Sequence, residues 1–200
     1  MENKAKIMGR WDVSAIDVKD PGLKKYISLV PVIVPKTGGT YSGNRFHKSH
    51  ISIVERLINK LMVPGHRGKK HKISSGVVTG KASTVYNIVE KAFGIIEKKL
   101  NKNPIEVLVR AVENGAPREE ITTITYGGAR YPKPVECAPQ RRIDFVLRMI
   151  AQGSYQRRFK SKKSAEQALA EEIIDTYEMN SNSTAISKKM ELERQADSAR

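Results

Sequence analysis

Residues 103–137 read NPIEVLVRAVENGAPREEITTITYGGARYPKPVEC, and the residue pattern changes near the middle of this stretch. An Asn-Pro pair opens residues 103–114 and Asn-Gly closes them, which is typical of a helix with both of its caps. Thr, Ile, Tyr and Val then dominate residues 120–126 and 131–137, on either side of a Gly-Gly pair. The stretch therefore predicts a helix followed by a β-hairpin.

Two further helices are predicted before this stretch. Apolar residues recur at helical spacing in residues 53–62 and again in residues 84–100. Ser52 followed three residues later by Glu55 matches a capping box at the start of the first of these helices. The glycine- and lysine-rich residues 65–80 show no periodicity, so we expect an exposed loop there.

Three more helices are predicted after the hairpin. The first runs from Pro139 to Gly153, which we expect to close it; the second opens at Ser164, and the third spans about residues 185–196. The fold class is accordingly mainly α, a bundle of six helices with a protruding β-hairpin between the third and fourth.

The chain is expected to divide into an N-terminal arm and one helical domain. Residues 1–46 are rich in Pro and Gly and predict an extended arm, with one or two strands within residues 26–34. Residues 47–200 form the helical domain, with the hairpin at about 120–137.

The charge of the chain points to a polyanionic partner. Thirty-six Lys and Arg against 21 Asp and Glu leave +15, and the sequence pI is near 9.9. Residues 45–72 and residues 141–163 each hold eight basic residues and one acid. We call these stretches the first and second basic windows, and such unbalanced runs favour binding of nucleic acid phosphates.

Features that the sequence lacks suggest the cellular compartment of the protein and argue against a catalytic or metal site. Cys137 is the single cysteine, and no apolar stretch approaches the roughly 20 residues that span a bilayer, so we expect a cytoplasmic protein without membrane contact. A nucleotide-binding loop at residues 76–83 is rejected because its glycines are one residue too close. Four histidines lie close together in the sequence, but no cysteine is near them and no second ligand pair completes the tetrahedral coordination of a zinc site. We predict no catalytic residue, no metal and no cofactor.

Aromatic residues accompany two of the basic regions. Phe159 follows Arg157 and Arg158, and its ring either stacks on an unpaired base or packs against the core. At the hairpin tip, Arg130 and Tyr131 are the residues that an RNA-facing turn would use.

Several separated motifs occur in a family-specific order. The chain resembles the universal ribosomal protein seven family of the small subunit, in its archaeal and eukaryotic branch. The motifs are RF (45–46) ahead of IVERL (53–57), NPIEVLVRAVEN (103–114), PRE (117–119), YGGARYPKPV (126–135), PQRR (139–142) and SNSTAISKKMELER (181–194).

The resemblance implies a binding protein rather than an enzyme. Members attach to the 3′ major domain of small-subunit rRNA, nucleate head assembly, and lie at the subunit interface near the decoding centre and the tRNA exit site. The implied partners are this rRNA, neighbouring head and platform proteins, exit-site tRNA and mRNA. The RNA-binding residues implied for this chain are Arg45, Lys48, His66, Arg67, Lys69, Lys70, Lys72, Gly127, Gly128, Arg130, Tyr131, Arg141, Arg142, Arg157, Arg158, Lys160, Lys188 and Lys189.

Two other classes of protein are compatible with the composition. A non-specific DNA-binding protein of chromatin or the nucleoid would bind any duplex with comparable affinity. An RNA-modifying enzyme would use the basic faces to hold its substrate, but it would need a cofactor site that the sequence does not supply.

Overall fold

The computed structural model describes residues 6–63 and 80–200, which form seven α-helices and one two-stranded antiparallel sheet. The predicted fold class is confirmed, and the helix beyond the predicted six is the four-residue α1. No helix among the described residues is long and apolar enough to cross a membrane. The elements are α1 (Pro21–Lys24), a 3-10 helix (His47–His50), α2 (Ile53–Met62), α3 (Ala82–Leu100), α4 (Pro104–Gly115), β1 (Glu119–Tyr126), β2 (Ala129–Glu136), α5 (Pro139–Arg158), α6 (Ala165–Tyr177) and α7 (Thr184–Ser198).

Helix α6 lies at the centre of the bundle and packs against α3, α4 and α5. Its Leu169 and Ile173 are buried. Fully buried residues from the surrounding helices belong to the same apolar core, among them Phe93, Leu108 and Leu147. Removal of this apolar surface from water is the main driving force for the arrangement.

The caps of two helices form as their sequences predict, but that of a third does not. The Asn103 side chain accepts a hydrogen bond from the Ile105 amide, and Ser164 forms a complete capping box at the start of α6. The capping box predicted for α2 is wrong: Ser52 makes no side-chain cap, and its buried hydroxyl has no hydrogen-bond partner. Glu55 instead accepts hydrogen bonds from the Thr37 amide (2.8 Å) and hydroxyl (2.7 Å).

The first part of the arm packs onto the bundle. Ile7, Trp11 and Leu23 are buried, and the Trp11 ring meets Phe93 of α3 edge to face at 5.5 Å between ring centres. The strands predicted within residues 26–34 are not present, and Ser28 forms an isolated bridge with Ser52. Within residues 6–63 and 80–200, the aliphatic residues that suggested strands have no neighbouring strand to pair with.

Helix α5 continues five residues beyond its predicted end. Gly153 was expected to close the helix, but it lies inside α5 and is buried. A Cβ at this position would lie 2.6 Å from the Glu172 Cδ atom and 2.8 Å from the Thr184 Oγ1 atom. The glycine therefore allows α5 to approach α6 and α7 closely, and it does not end the helix.

The predicted hairpin is confirmed, with a two-residue turn. Gly127 and Gly128 have φ of +55° and +83°, which suits a tight hairpin turn that other residues adopt poorly. Residues 122–133 are exposed, so the hairpin projects from the bundle.

Candidate nucleic-acid interface

The two basic windows meet at Asp144 of α5. Lys48 donates a hydrogen bond to Asp144 Oδ2, and Arg56 donates to Oδ1 at 3.1 Å and to the Tyr26 carbonyl at 3.0 Å. Burial opposes ionisation of Asp144, but the Lys48 hydrogen bond and the Arg56 charge outweigh it and lower the pKa of Asp144. The windows are thus joined in space, and the buried Arg56 holds α2, α5 and the arm together.

Arg157 lies within a group of carboxylates. Its guanidinium is 2.7 Å from Glu172 Oε2 and 2.6 Å from Asp175 Oδ2, and it also donates to the Asn182 carbonyl at 3.0 Å. The Glu172 contact is an ion pair without hydrogen-bond alignment, since Oε2 of this fully buried residue has no hydrogen-bond partner. Burial raises the pKa of Glu172, and the Arg157 charge opposes that rise. Arg157 therefore joins α5 to α6 and the start of α7.

Arg141 and Arg142 are neighbours with different surroundings. Arg141 is exposed, and its Nε and Nη2 donate to Glu120 Oε2 of β1 at 2.8 and 2.6 Å. Arg142 is largely buried; it donates to the Pro117 carbonyl at 3.0 Å and to Asp20 at 2.9 Å. Arg141 thus holds the base of the hairpin and leaves part of its surface to solvent, whereas Arg142 ties α5 to the arm.

Four predicted contact residues are exposed. Two of them lie over neighbouring rings: the Arg45 guanidinium is 5.4 Å from the Phe46 ring centre, and the Lys160 ammonium is 5.7 Å from that of Phe159. The other two are Arg130 at the hairpin tip and Arg158 at the end of α5, whose charge acts on Glu166 of α6. All four side chains therefore reach solvent.

Phe159 contacts a neighbouring ring and stays partly exposed. Its ring stacks on that of Tyr155 at 6.2 Å between centres, so one side packs within the protein. The side chain nevertheless remains 41% exposed. Stacking of this ring on an unpaired base stays a prediction.

The hairpin places Arg130 and Tyr131 on opposite faces, because neighbouring residues of a strand alternate. Tyr131 lies opposite Ile124 and shares its face with Tyr126, and all three are exposed. Arg130 lies opposite Thr125 on the other face. Ile124 and Tyr126 were not predicted as surface residues, although strand alternation already places them on one face of the hairpin.

The two lysines predicted on the closing helix have protein partners. Lys188 of α7 pairs with Glu191, and Lys189 donates to the Asn114 carbonyl at the end of α4 at 2.9 Å. Burial lowers the pKa of Lys189.

Part of the predicted set lies outside the described residues, namely His66, Arg67, Lys69, Lys70 and Lys72. Within residues 6–63 and 80–200, no group of three or more His, Cys, Asp or Glu side chains could hold a metal ion. Cys137 is buried, and burial together with the nearby Glu120 raises the pKa of its thiol to about 11.

Comparison with known proteins shows the family of the chain. The family described as ribosomal protein S7p/S5e matches residues 23–200. The small ribosomal subunit protein uS7 of Nanoarchaeum equitans (strain Kin4-M) is 50% identical over 197 residues, which cover 98% of this chain and 100% of the relative. As the order of its motifs predicted, the chain belongs to the ribosomal protein S7p/S5e family, whose members are structural rather than catalytic proteins.

Proposed function

We propose that the protein binds directly to the 3′ major domain of small-subunit rRNA and nucleates assembly of the head. In the assembled subunit it lies at the subunit interface, near the decoding centre and the tRNA exit site. The family match over residues 23–200 carries this proposal. The proposed location is the ribosome in the cytoplasm, beside other head and platform proteins.

The contact residues fall into two groups by their surroundings. Arg45, Arg130, Arg158 and Lys160 are exposed, so they can neutralise phosphates directly. Lys48, Arg141 and Lys188 remain partly exposed beside one carboxylate each, and RNA would compete for them.

Three other residues of the predicted set have protein partners that use some of their donors. Arg142, Arg157 and Lys189 are largely or partly buried and hydrogen bonded within the protein. Their proposed role is to shape the surface that RNA contacts.

The hairpin extends the proposed interface toward exit-site tRNA and mRNA. Gly127 and Gly128 make the tight turn, which brings the Arg130 charge to the tip. The exposed rings of Tyr126 and Tyr131 offer stacking surfaces for unpaired bases on the opposite face.

Competition binding at about 0.2 M salt tests the proposal, because salt suppresses non-specific phosphate binding. A head-domain rRNA fragment is compared with duplex DNA of equal length. We expect clear preference for the rRNA fragment. Equal affinity would favour the non-specific DNA-binding alternative.

A set of substitutions tests the assignment of the exposed cations. The combination Arg45→Ala, Arg130→Ala, Arg158→Ala and Lys160→Ala removes four phosphate ligands, so the slope of log affinity against log salt should flatten by roughly three units. A control with Lys25, Lys81, Lys98 and Lys99 changed to Ala loses the same charge elsewhere. Equal slopes for the two variants would contradict the assignment.

A further inference from the structure

A groove of about 860 Å³ lies mainly outside the two basic windows, and Arg142 is its one lining residue from either of them. It is bordered by the arm near α1, by α4 and the residues flanking it, and by parts of α5, α6 and α7. Six cationic side chains line it, of which Arg110 and Arg142 pair with acids of the same lining. We call the site the basic groove and define it by the other four cations: Lys19, Lys102, Arg118 and Lys189.

The two acids at the arm side of the basic groove are satisfied by internal partners. Glu113 accepts hydrogen bonds from the Lys19 amide (2.6 Å) and from Arg110 (2.8 Å). Asp20 accepts from Arg142 at 2.9 Å and from the Gly22 amide at 2.9 Å. Both carboxylates are therefore already paired, and neither forms an ion pair with the four cations that define the groove.

Those four cations lack a carboxylate ion pair among the described residues. Lys102 donates to the Tyr177 hydroxyl at 2.9 Å and Lys189 to the Asn114 carbonyl at 2.9 Å, both of which are uncharged. The side chains of Lys19 and Arg118 are exposed, without an ion pair in the described chain. The remaining acids of the lining are Glu178 and Glu106, whose charge acts on Lys102, so the six cations of the lining exceed its four acids by two.

The state of Lys189 agrees with an excess of positive charge in the basic groove. Burial lowers its pKa, Glu193 opposes that change, and the positive charges of Arg118 and Arg142 add to it. A bound anion would relieve this repulsion.

We propose that the basic groove binds the phosphodiester backbone of RNA, as a contact surface that lies mainly outside the two basic windows. This inference rests on the proposed rRNA-binding function and extends it to residues of the arm and of the ends of α4. The lining is mostly charged, with Tyr177 and Met179 among its few larger apolar residues. It therefore suits a phosphate backbone better than a protein segment, because the centres of protein interfaces are depleted of charged residues.

Two variants of equal charge test the proposal with the same rRNA fragment. One carries Lys19→Ala, Lys102→Ala and Arg118→Ala; the control carries Lys25→Ala, Lys98→Ala and Lys99→Ala on exposed residues outside the groove. We expect the groove variant to bind roughly tenfold or more weakly and to flatten the salt slope by about two units more than the control. Equal losses in both variants would show a general effect of net charge and would overturn the proposal.

Lysine labelling of the unmodified protein gives a second readout that does not depend on any substitution. Bound rRNA should protect Lys19 and Lys102 from an amine-reactive reagent and leave Lys98 and Lys99 reactive. Absence of protection at the first pair would overturn the proposal. So would unchanged rRNA binding by the groove variant together with loss of a neighbouring ribosomal protein from the assembled particle, since the groove would then bind protein.

Failure of the inference can be told apart from failure of the proposed function. If the unmodified protein binds rRNA and duplex DNA equally, the proposed function fails, and the difference in slope between the two variants on DNA still tests the basic groove. If the unmodified protein prefers rRNA while the two variants behave alike, only the groove proposal fails.

Discussion

Replacement of Gly153 by Ala should destabilise the protein, although Ala is the better helix former. The new Cβ would lie 2.6 Å from Glu172 Cδ and Oε1, inside van der Waals contact. Glu172 cannot move freely, because Oε1 accepts hydrogen bonds from the Thr184 amide (2.7 Å) and the Ser183 hydroxyl (3.2 Å), and Arg157 pairs with Oε2. Overpacking of this kind costs about 1–3 kcal/mol, against a gain of about 0.5–1 kcal/mol in helix propensity.

We therefore expect Gly153→Ala to lower the free energy of unfolding by about 1 kcal/mol, measured by urea denaturation followed by circular dichroism. Gly94→Ala is the matched control: Gly94 also lies inside a helix, and nothing lies within 4 Å of its Cβ position, so the protein should gain about 0.5–1 kcal/mol. In a Glu172→Ala background the cost at Gly153 should shrink, since the clashing carboxyl is gone. Equal stability of Gly153→Ala and Gly94→Ala would refute the close-packing explanation.

Three further predictions follow from individual contacts. Ser164→Ala removes a formed cap and should cost about 1 kcal/mol of unfolding free energy, whereas Ser52→Ala should change it little; similar losses would contradict the hydrogen-bond assignment. The pKa of Asp144 is lowered from 3.8, so its stabilisation is present above pH 3.8 and is lost as pH falls through the folded-state value; Asp144→Asn should reduce the acid-induced drop in Tm. Burial protects the Cys137 thiol and raises its pKa to about 11, so at pH 8 a thiol reagent should react much faster in urea than with the folded protein.

Local sequence signals predicted the helices and the hairpin well. Where such a signal was wrong, a contact with a residue distant in sequence had replaced the local one. Ser164 and Ser52 both match a capping box, yet only Ser164 forms one, because Glu55 binds Thr37 of the arm. The sequence suggests that Gly153 ends a helix, but in the structure the glycine leaves room for the Glu172 side chain beside α5. Neither Thr37 nor Glu172 is close enough in sequence to reveal the contact in advance.

The distribution of charge shows the same dependence on long-range contacts. The two basic windows each carry +7, so only +1 of the total +15 remains for the rest of the chain. The residues outside the two windows thus have a net charge near zero, but their surface is not uniformly neutral. Four of their cations line one groove: Lys19, Lys102, Arg118 and Lys189. Within the second window, by contrast, three carboxylates surround Arg157. Charge density along the chain therefore predicts a polyanionic partner, whereas the pairing of each cation in the fold decides which side chains we propose as its phosphate contacts.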